Sequence, residues 1–309
     1  MNENIIINNI KNILQSDYIG DDCAYLKDLN IVVSQDSLVE NIHFNKDIIS
    51  PYQLGYKSVM VNLSDIAASG ATPCYLTVSL SIPKYFDENC VSEFYEGAKF
   101  ALKNTNAQII GGDITGSDKL FVSICAIGKT FDRKISSRKN AKVGHKIITS
   151  GVHGSSAAGL KILLENLESD KDLIKSHLMP EAQLDFSEMI STQIKEDYAM
   201  MDTSDGLFDA LYKIGQASDC TMSVDFDKIL FNPKIKEYFD NYKDLIFFGG
   251  EDYQLVATVP VELLPMLENY VVIGEVIEKE DCVIKLNTIN GVEKYSNISD
   301  RCFNHFLSE

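Results

Sequence analysis

Apolar positions recur at helical spacing near the N-terminus, where Ile6, Ile7, Ile10 and Ile13 predict a helix over 4–14. The β-branched run NIVVSQDSLVE (30–40) turns polar at its end and predicts a strand. SPYQLGYKSVMVNLSDIAASGA (50–71) predicts a helix, with Ser50 as its cap, Pro51 in its first position and Gly70 at its end. CYLTVSLSIP reads as a strand closed by Pro83, and 87–106 as a helix with apolar residues at 91, 94, 98 and 102. AQIIGGD and KLFVSICAIGK then read as a short and a long strand joined by a glycine-rich loop.

After Gly128 the pattern turns basic and polar in KTFDRKISSRKNAKVGH, and the domain boundary is placed there, giving units 1–140 and 141–309. The second unit opens with the strand KIITSG and a glycine-rich turn into a helix, VHGSSAAGLKILLENL. A helix over 181–194, a helix at MDTSDGL and the strands DYQLVATVP and YVVIGEVI follow. Strands and helices alternate in both halves, so the class is α/β or α+β.

Composition narrows the function classes. The 309 residues are 45% hydrophobic and 24% charged, a globular mixture. No run reaches the roughly 18 apolar residues of a membrane span, and the Asn- and Lys-punctuated N-terminus does not read as a signal peptide. The seven cysteines are scattered without a C-x-x-C pair, so neither zinc nor a disulfide framework is indicated and a reducing cytoplasm is expected. With 45 acidic against 28 basic residues the net charge is −17, which disfavours nucleic acid as a partner. A phosphorylated small substrate stays open, but its site must import positive charge, and a divalent metal supplies it.

The acidic residues are gathered in motifs. IGDDCAYL holds Asp21 and Asp22; SQDSLVENIHF holds Ser34, Asp36 and His43; VNLSDIAASGA holds Asp65 in a helix of small residues. IIGGDITG sets Asp113 after two glycines, MDTSDGL carries Asp202, Ser204 and Asp205, and FFGGEDYQL carries Glu251 and Asp252. Singly, each has an ordinary reading as a turn, a cap or a solvated face. Together, six segments bring Asp or Glu to the ends of strands or helices, four of them beside glycine. Carboxylates that converge repel one another unless cations neutralise them. Oxygen ligands without His or Cys suit Mg²⁺, and acidic clusters with Mg²⁺ are what phosphoryl transfer needs. Neither a Walker A loop nor G-x-G-x-x-G is present, so nucleotide binding would use another geometry.

In this order, GDDCAYL, SQDSLVENIHF, VNLSDIAASGA, IIGGDITG, SRKNAKVG, GSSAAGL, MDTSDGL and GGEDYQL resemble the thiamine-monophosphate kinase family. That family belongs to the ATP-binding superfamily typified by aminoimidazole ribonucleotide synthetase. The resemblance runs from about residue 19 to CFNHF. It implies a two-domain α/β (α+β) fold whose N-terminal sheet pairs across a homodimer, with the active site in the cleft between domains. It implies ATP-dependent phosphorylation of thiamine monophosphate to thiamine diphosphate by direct in-line transfer, with several Mg²⁺ ions. By motif, Asp22, Asp36, Asp65, Asp113, Asp202 and Asp205 match Mg²⁺ ligands, with Ser34 adding an oxygen and Asp65 and Asp205 at the centre of catalysis. Tyr95, Gly112, Asp113, Arg138 and Ser204 match ATP contacts, and His43, Glu251 and Phe303 match contacts to thiamine monophosphate. Glu251 and an aromatic would suit the positive thiazolium ring. Gln35 stands where the family usually has a threonine that helps hold a metal. Residues 34 and 36 share one strand face and 35 the other, so Gln35 is expected to offer its backbone carbonyl at most. Selenophosphate synthetase, the hydrogenase maturation factor, aminoimidazole ribonucleotide synthetase itself and a silent nucleotide sensor are the alternatives. Cys23 lies in the wrong place for the first of these, and the chain ends in NHFLSE rather than in the cysteine-bearing tail of the second.

Overall fold

The computed structural model describes residues 3–302 other than 169 and 299. In chain order the first half contains α1 (Glu3–Leu14), β1 (Ala24–Leu26), β2 (Ile31–Val39), α2 (Pro51–Ala68), β3 (Thr72–Ile82), α3 (Glu88–Ala101), β4 (Gln108–Gly116) and β5 (Phe121–Lys129). The second half contains β6 (Lys146–Thr149), α4 (Ser155–Glu165), α5 (Lys171–Leu178), α6 (Leu184–Gln193), β7 (Ala199–Asp202), α7 (Leu207–Ala217) and β8 (Thr221–Asp225). It closes with α8 (Lys234–Tyr238), α9 (Tyr242–Phe248), β9 (Leu255–Val259), β10 (Val271–Ile277), β11 (Ile284–Thr288) and β12 (Gly291–Tyr295).

The strands form a five-stranded sheet, β1-β2-β5-β3-β4, and a seven-stranded sheet, β12-β11-β8-β10-β6-β9-β7. In the first, β5 pairs antiparallel with β2 and β3, whereas β3 and β4 run parallel, joined through α3. Register carries Asp113 through Ser79 and Ser123 to Ser37, so Asp113 lies level with β2 but three strands away.

Helix α2 joins the two halves. A capping box starts it: Ser50 Oγ accepts from the Gln53 amide at 3.2 Å, and Gln53 Oε1 accepts from the Ser50 amide at 2.9 Å. Most of its residues are buried, as in a helix enclosed on every side. Val59, Leu63 and Ile66 pack into the core of the first sheet, while Ala67 and Ala68 enter a second core with Ile148, Met200 and Leu255. Polar residues on such a helix must find partners inside the protein, and α2 carries Lys57, Asn62, Ser64 and Asp65.

Three differences from the sequence reading concern the site. The strand read at AQIIGGD runs on to Gly116, so β4 takes in residues 114–116, where the loop was expected. Gly112 is required in this strand by packing, because a Cβ would stand 1.8 Å from the carbonyl oxygen of Val78. The helix expected at MDTSDGL is present but begins only at the last residue of the motif, Leu207, because β7 ends at Asp202 and a turn lies between. Finally, α5, β8, α8, α9, β11 and β12 appear where no element was anticipated.

Candidate active site

The carboxylates of Asp22, Asp65 and Asp202 each place an oxygen within 4.8 Å of the others. They arrive from the loop before β1, from the last turn of α2 and from the end of β7. The site therefore draws on both halves of the chain. Ser34 Oγ, buried on β2, donates to Asp65 Oδ2. Asp202 accepts from Ser64 Oγ of α2 at 2.7 Å and from Ser204 Oγ at 2.8 Å. The Asp36 amide donates to Asn62 Oδ1 at 3.2 Å, tying β2 to the same helix.

Electrostatics mark this as a place short of positive charge. Burial pushes the Asp36 carboxyl up to about 6, reinforced by the charges of Asp205 and Asp22. Burial and the neighbours Asp36, Asp202 and Asp22 hold Asp65 well above the carboxylate range, against the bond from Ser34. Burial and Asp22 push Asp202 up to about 7, against the bonds from Ser64 and Ser204. Two cations answer part of this. Arg138 Nη2 donates to Asp22 Oδ1 at 2.9 Å, while its amide donates to Asp21 Oδ1 at 2.8 Å. Lys213 Nζ lies 3.2 Å from Asp205 and 2.7 Å from Asp209. Beside Asp65 lies Cys23, a buried thiol that donates to the Asp65 carbonyl at 3.3 Å and is held protonated by burial and the charge of Asp65, and burial with the charges of Asp209 and Asp205 likewise raises the Cys302 thiol. The converging donors of Asp22, Asp65 and Asp202 are all carboxylate oxygens, which fits a hard divalent cation.

The turn before α7 settles what its aspartates do locally. Gly206, at φ 107°, takes the N-cap position, and no side chain caps the helix. Asp202 and Asp205 are therefore not capping residues; the turn presents them to the cluster.

Glu251 sits at the rim. Its backbone is left-handed (φ 66°), and its amide donates to the Ser204 carbonyl at 2.7 Å, which fastens it to the same turn. Its carboxylate meets Lys57 and His177. Tyr253 is buried close enough to feel the charges of Glu251, Asp36, Asp202 and Asp205. His43 Nδ1 accepts from the Val39 amide at 3.0 Å, so a neutral His43 carries its proton on Nε2.

The first sheet ends in a seam of different character: all but one residue of β4 is exposed, including Ile110 and Ile114. Gly112 and Asp113 lie there, about 14 Å from β2 at three strand spacings. One copy of the chain does not bring them to the cluster. Tyr95 on α3 packs edge-on against Phe94 at 5.4 Å, also away from it. Phe303 lies outside the described residues. Gln35 is exposed, and its amide donates to Ser123 Oγ at 3.2 Å on the face opposite Ser34 and Asp36.

The family model of the AIR synthase related protein, N-terminal domain, matches residues 20–130. The thiamine-monophosphate kinase of Aquifex aeolicus is 33% identical over 285 residues, covering 89% of this chain and 91% of the relative. The chain belongs to the thiamine-monophosphate kinase family of enzymes. The Escherichia coli K12 member is 37% identical over 254 residues, 78% of this chain and 76% of the relative. Among solved structures, AaThiL complexed with AMPPCP and TMP matches with a TM-score of 0.84 at 31% identity, covering 92% of this chain and 93% of that one. The two-sheet α/β architecture is the aminoimidazole ribonucleotide synthetase-like fold of that family. A HypE-HypF complex matches with a TM-score of 0.81 but at 21% identity, a likeness of fold alone.

Several residues of the site were not anticipated. Asn62 and Ser64 lie within the VNLSDIAASGA motif, and polar groups on a helix otherwise apolar all round were the available signal. Lys57, on the same helix, shares that mark, whereas His177, Asp209 and Lys213 had no comparable one. Each is an ordinary helical residue until the fold gives it a partner.

Proposed function

We propose that the chain phosphorylates thiamine monophosphate to thiamine diphosphate with ATP, by direct in-line transfer, with Mg²⁺ held on Asp22, Asp36, Asp65, Asp202 and Asp205. The observation that carries this reading is the convergence of buried, mutually repelling carboxylates from both halves of the chain. The AaThiL complex with AMPPCP and TMP supports the choice of substrates. When bound, Mg²⁺ would neutralise the phosphate oxygens and screen the transferring group. The protein's own residues then have positioning roles. Arg138, fixed by Asp21 and Asp22, offers its guanidinium to ATP phosphates. Ser204 orients Asp202, and Ser34 orients Asp65. Nε2–H of His43 is the donor assigned to the substrate phosphate. That phosphate is already ionised at neutral pH, so no general base is required.

The open β4 edge supports a homodimer, since proteins seldom leave a long exposed strand with apolar side chains unpaired. Beyond its three-residue pairing with β1, the outer edge of β2 from 34 to 39 is the matching gap. A second copy's β4 laid along that edge would set its Gly112 and Asp113 beside Gln35 and Asp36, completing the ATP site together with Tyr95. On this reading 1–140 is the dimerising, ATP- and Mg²⁺-binding domain and 141–309 the second domain. The seven free thiols suit the cytoplasm. Light scattering at micromolar concentration tests the dimer, and a monomer mass refutes it. Direct transfer predicts intersecting double-reciprocal plots. Parallel lines, or label left on the protein after ATP alone, would overturn it.

A further inference from the structure

Lys57 is an ammonium group with no exposed side-chain surface, in the middle of a core helix. Lysine is almost never fully buried without a partner, and an unpaired buried charge is very costly. Its Nζ stands 3.1 Å from both Oε1 and Oε2 of Glu251, 194 residues along the chain. His177 Nδ1 adds a contact at 3.4 Å to Oε2, and Ser156 Oγ holds the same nitrogen at 3.1 Å. Burial and the Lys57 charge lower His177 to about 4, so the imidazole is neutral at physiological pH. Glu251 thus meets one full positive charge and one neutral ring, while about a quarter of its side chain (27%) remains exposed.

This arrangement changes what Glu251 can recognise. A lone carboxylate would attract a cationic ring by charge. A carboxylate already neutralised across both oxygens offers little net field, but keeps lone pairs fixed in direction for an N–H donor. Thiamine monophosphate carries both features: a thiazolium cation, and an exocyclic amine on its pyrimidine. We propose that Lys57 is a positioning residue that compensates and aims Glu251, so that Glu251 accepts a hydrogen bond from the amine of the substrate rather than serving as counter-ion to its thiazolium. The proposal rests on the reading that Glu251 belongs to the thiamine monophosphate site.

The test compares three substrates at saturating ATP and Mg²⁺. They are thiamine monophosphate, deazathiamine monophosphate (a neutral thiophene replaces the thiazolium) and oxythiamine monophosphate (an oxo group replaces the amine). The wild-type enzyme is expected to use the deaza compound within about fivefold of thiamine monophosphate in kcat/KM. It should lose about a hundredfold or more with the oxo compound, because a built acceptor is left without its donor. Lys57→Met leaves the carboxylate uncompensated. It should raise KM about tenfold with kcat little changed, and shift the preference for the cationic over the neutral ring by about tenfold. A purely structural lysine would not move that ratio. If Lys57→Met does not fold, the double variant Lys57→Met/Glu251→Gln removes both charges; it should fold and lose the discrimination against the oxo compound. A wild-type enzyme that rejects the deaza compound a hundredfold while Glu251→Gln raises KM overturns the inference and leaves the site reading intact. If Glu251→Gln leaves KM for thiamine monophosphate unchanged, the site reading itself fails.

Discussion

At the scale of single residues, strand alternation separates Gln35 from its neighbours. Its amide is engaged with Ser123, whereas Ser34 and Asp36 face α2. Gln35→Ala is therefore expected to change the Mg²⁺ requirement by less than about threefold, under ~0.7 kcal/mol, and Asp36→Ala to eliminate activity; titration of rate against Mg²⁺ checks both. A hundredfold rise in the requirement for Gln35→Ala would make the glutamine a ligand. Asp205 caps no helix, so Asp205→Asn should abolish turnover while shifting the melting temperature by only about 2 °C; near-normal kcat would deprive Asp205 of its role. The acidic residues could be read from the sequence because their types and their glycine neighbours are unusual in combination. Lys213 could not. A lysine in a helix has an ordinary solvated reading, and only the tertiary fold sets Lys213 between Asp205 and Asp209.

At the scale of elements, legibility followed punctuation. Ser50, Pro51 and Gly70 delimit α2, and its capping box forms as those residues dictate. Four-residue β7 has no such signal: AMMD is too short for a periodicity, and the Ser and Asp residues after it imitate a cap. The β11–β12 hairpin turns at Ile289-Asn290, with Gly291 already in β12 opposite Thr288, and its strands are interrupted by Lys285, Glu293 and Lys294. The role of β4 was hidden for a different reason. AQIIGGD reads as a strand, but its continuation over 114–116 reads as a loop, and nothing in it marks the open edge of a sheet. Because Ile114 is exposed on this edge strand, Ile114→Glu should yield a monomer by light scattering and a matching loss of activity. A dimer of unchanged mass would remove β4 from the interface.

At the scale of the molecule, the carboxylate cluster makes metal-free stability depend on pH. Asp36, Asp65, Asp202 and also Asp252 titrate above their ordinary range when folded, so the folded chain holds protons that the unfolded chain has released. Stability then falls as pH rises through those values, and from about pH 6.5 to 8 the melting temperature of metal-free protein should drop by on the order of 3 °C. His145, His153 and His177 act oppositely: their folded pKa values are depressed by burial, so their contribution is lost as pH falls below about 6.5, which confines the test to higher pH. Mg²⁺ should raise the melting temperature more at pH 8 than at pH 6.5, because it competes with those protons; equal shifts at both would separate metal from cluster. The most direct measurement of the central claim is to incubate the protein with ATP, Mg²⁺ and thiamine monophosphate and follow products by mass, with and without exhaustive EDTA. Thiamine diphosphate formed in step with ADP, and only with the divalent ion present, is the predicted result; ATP left intact, or turnover that survives EDTA, would contradict it.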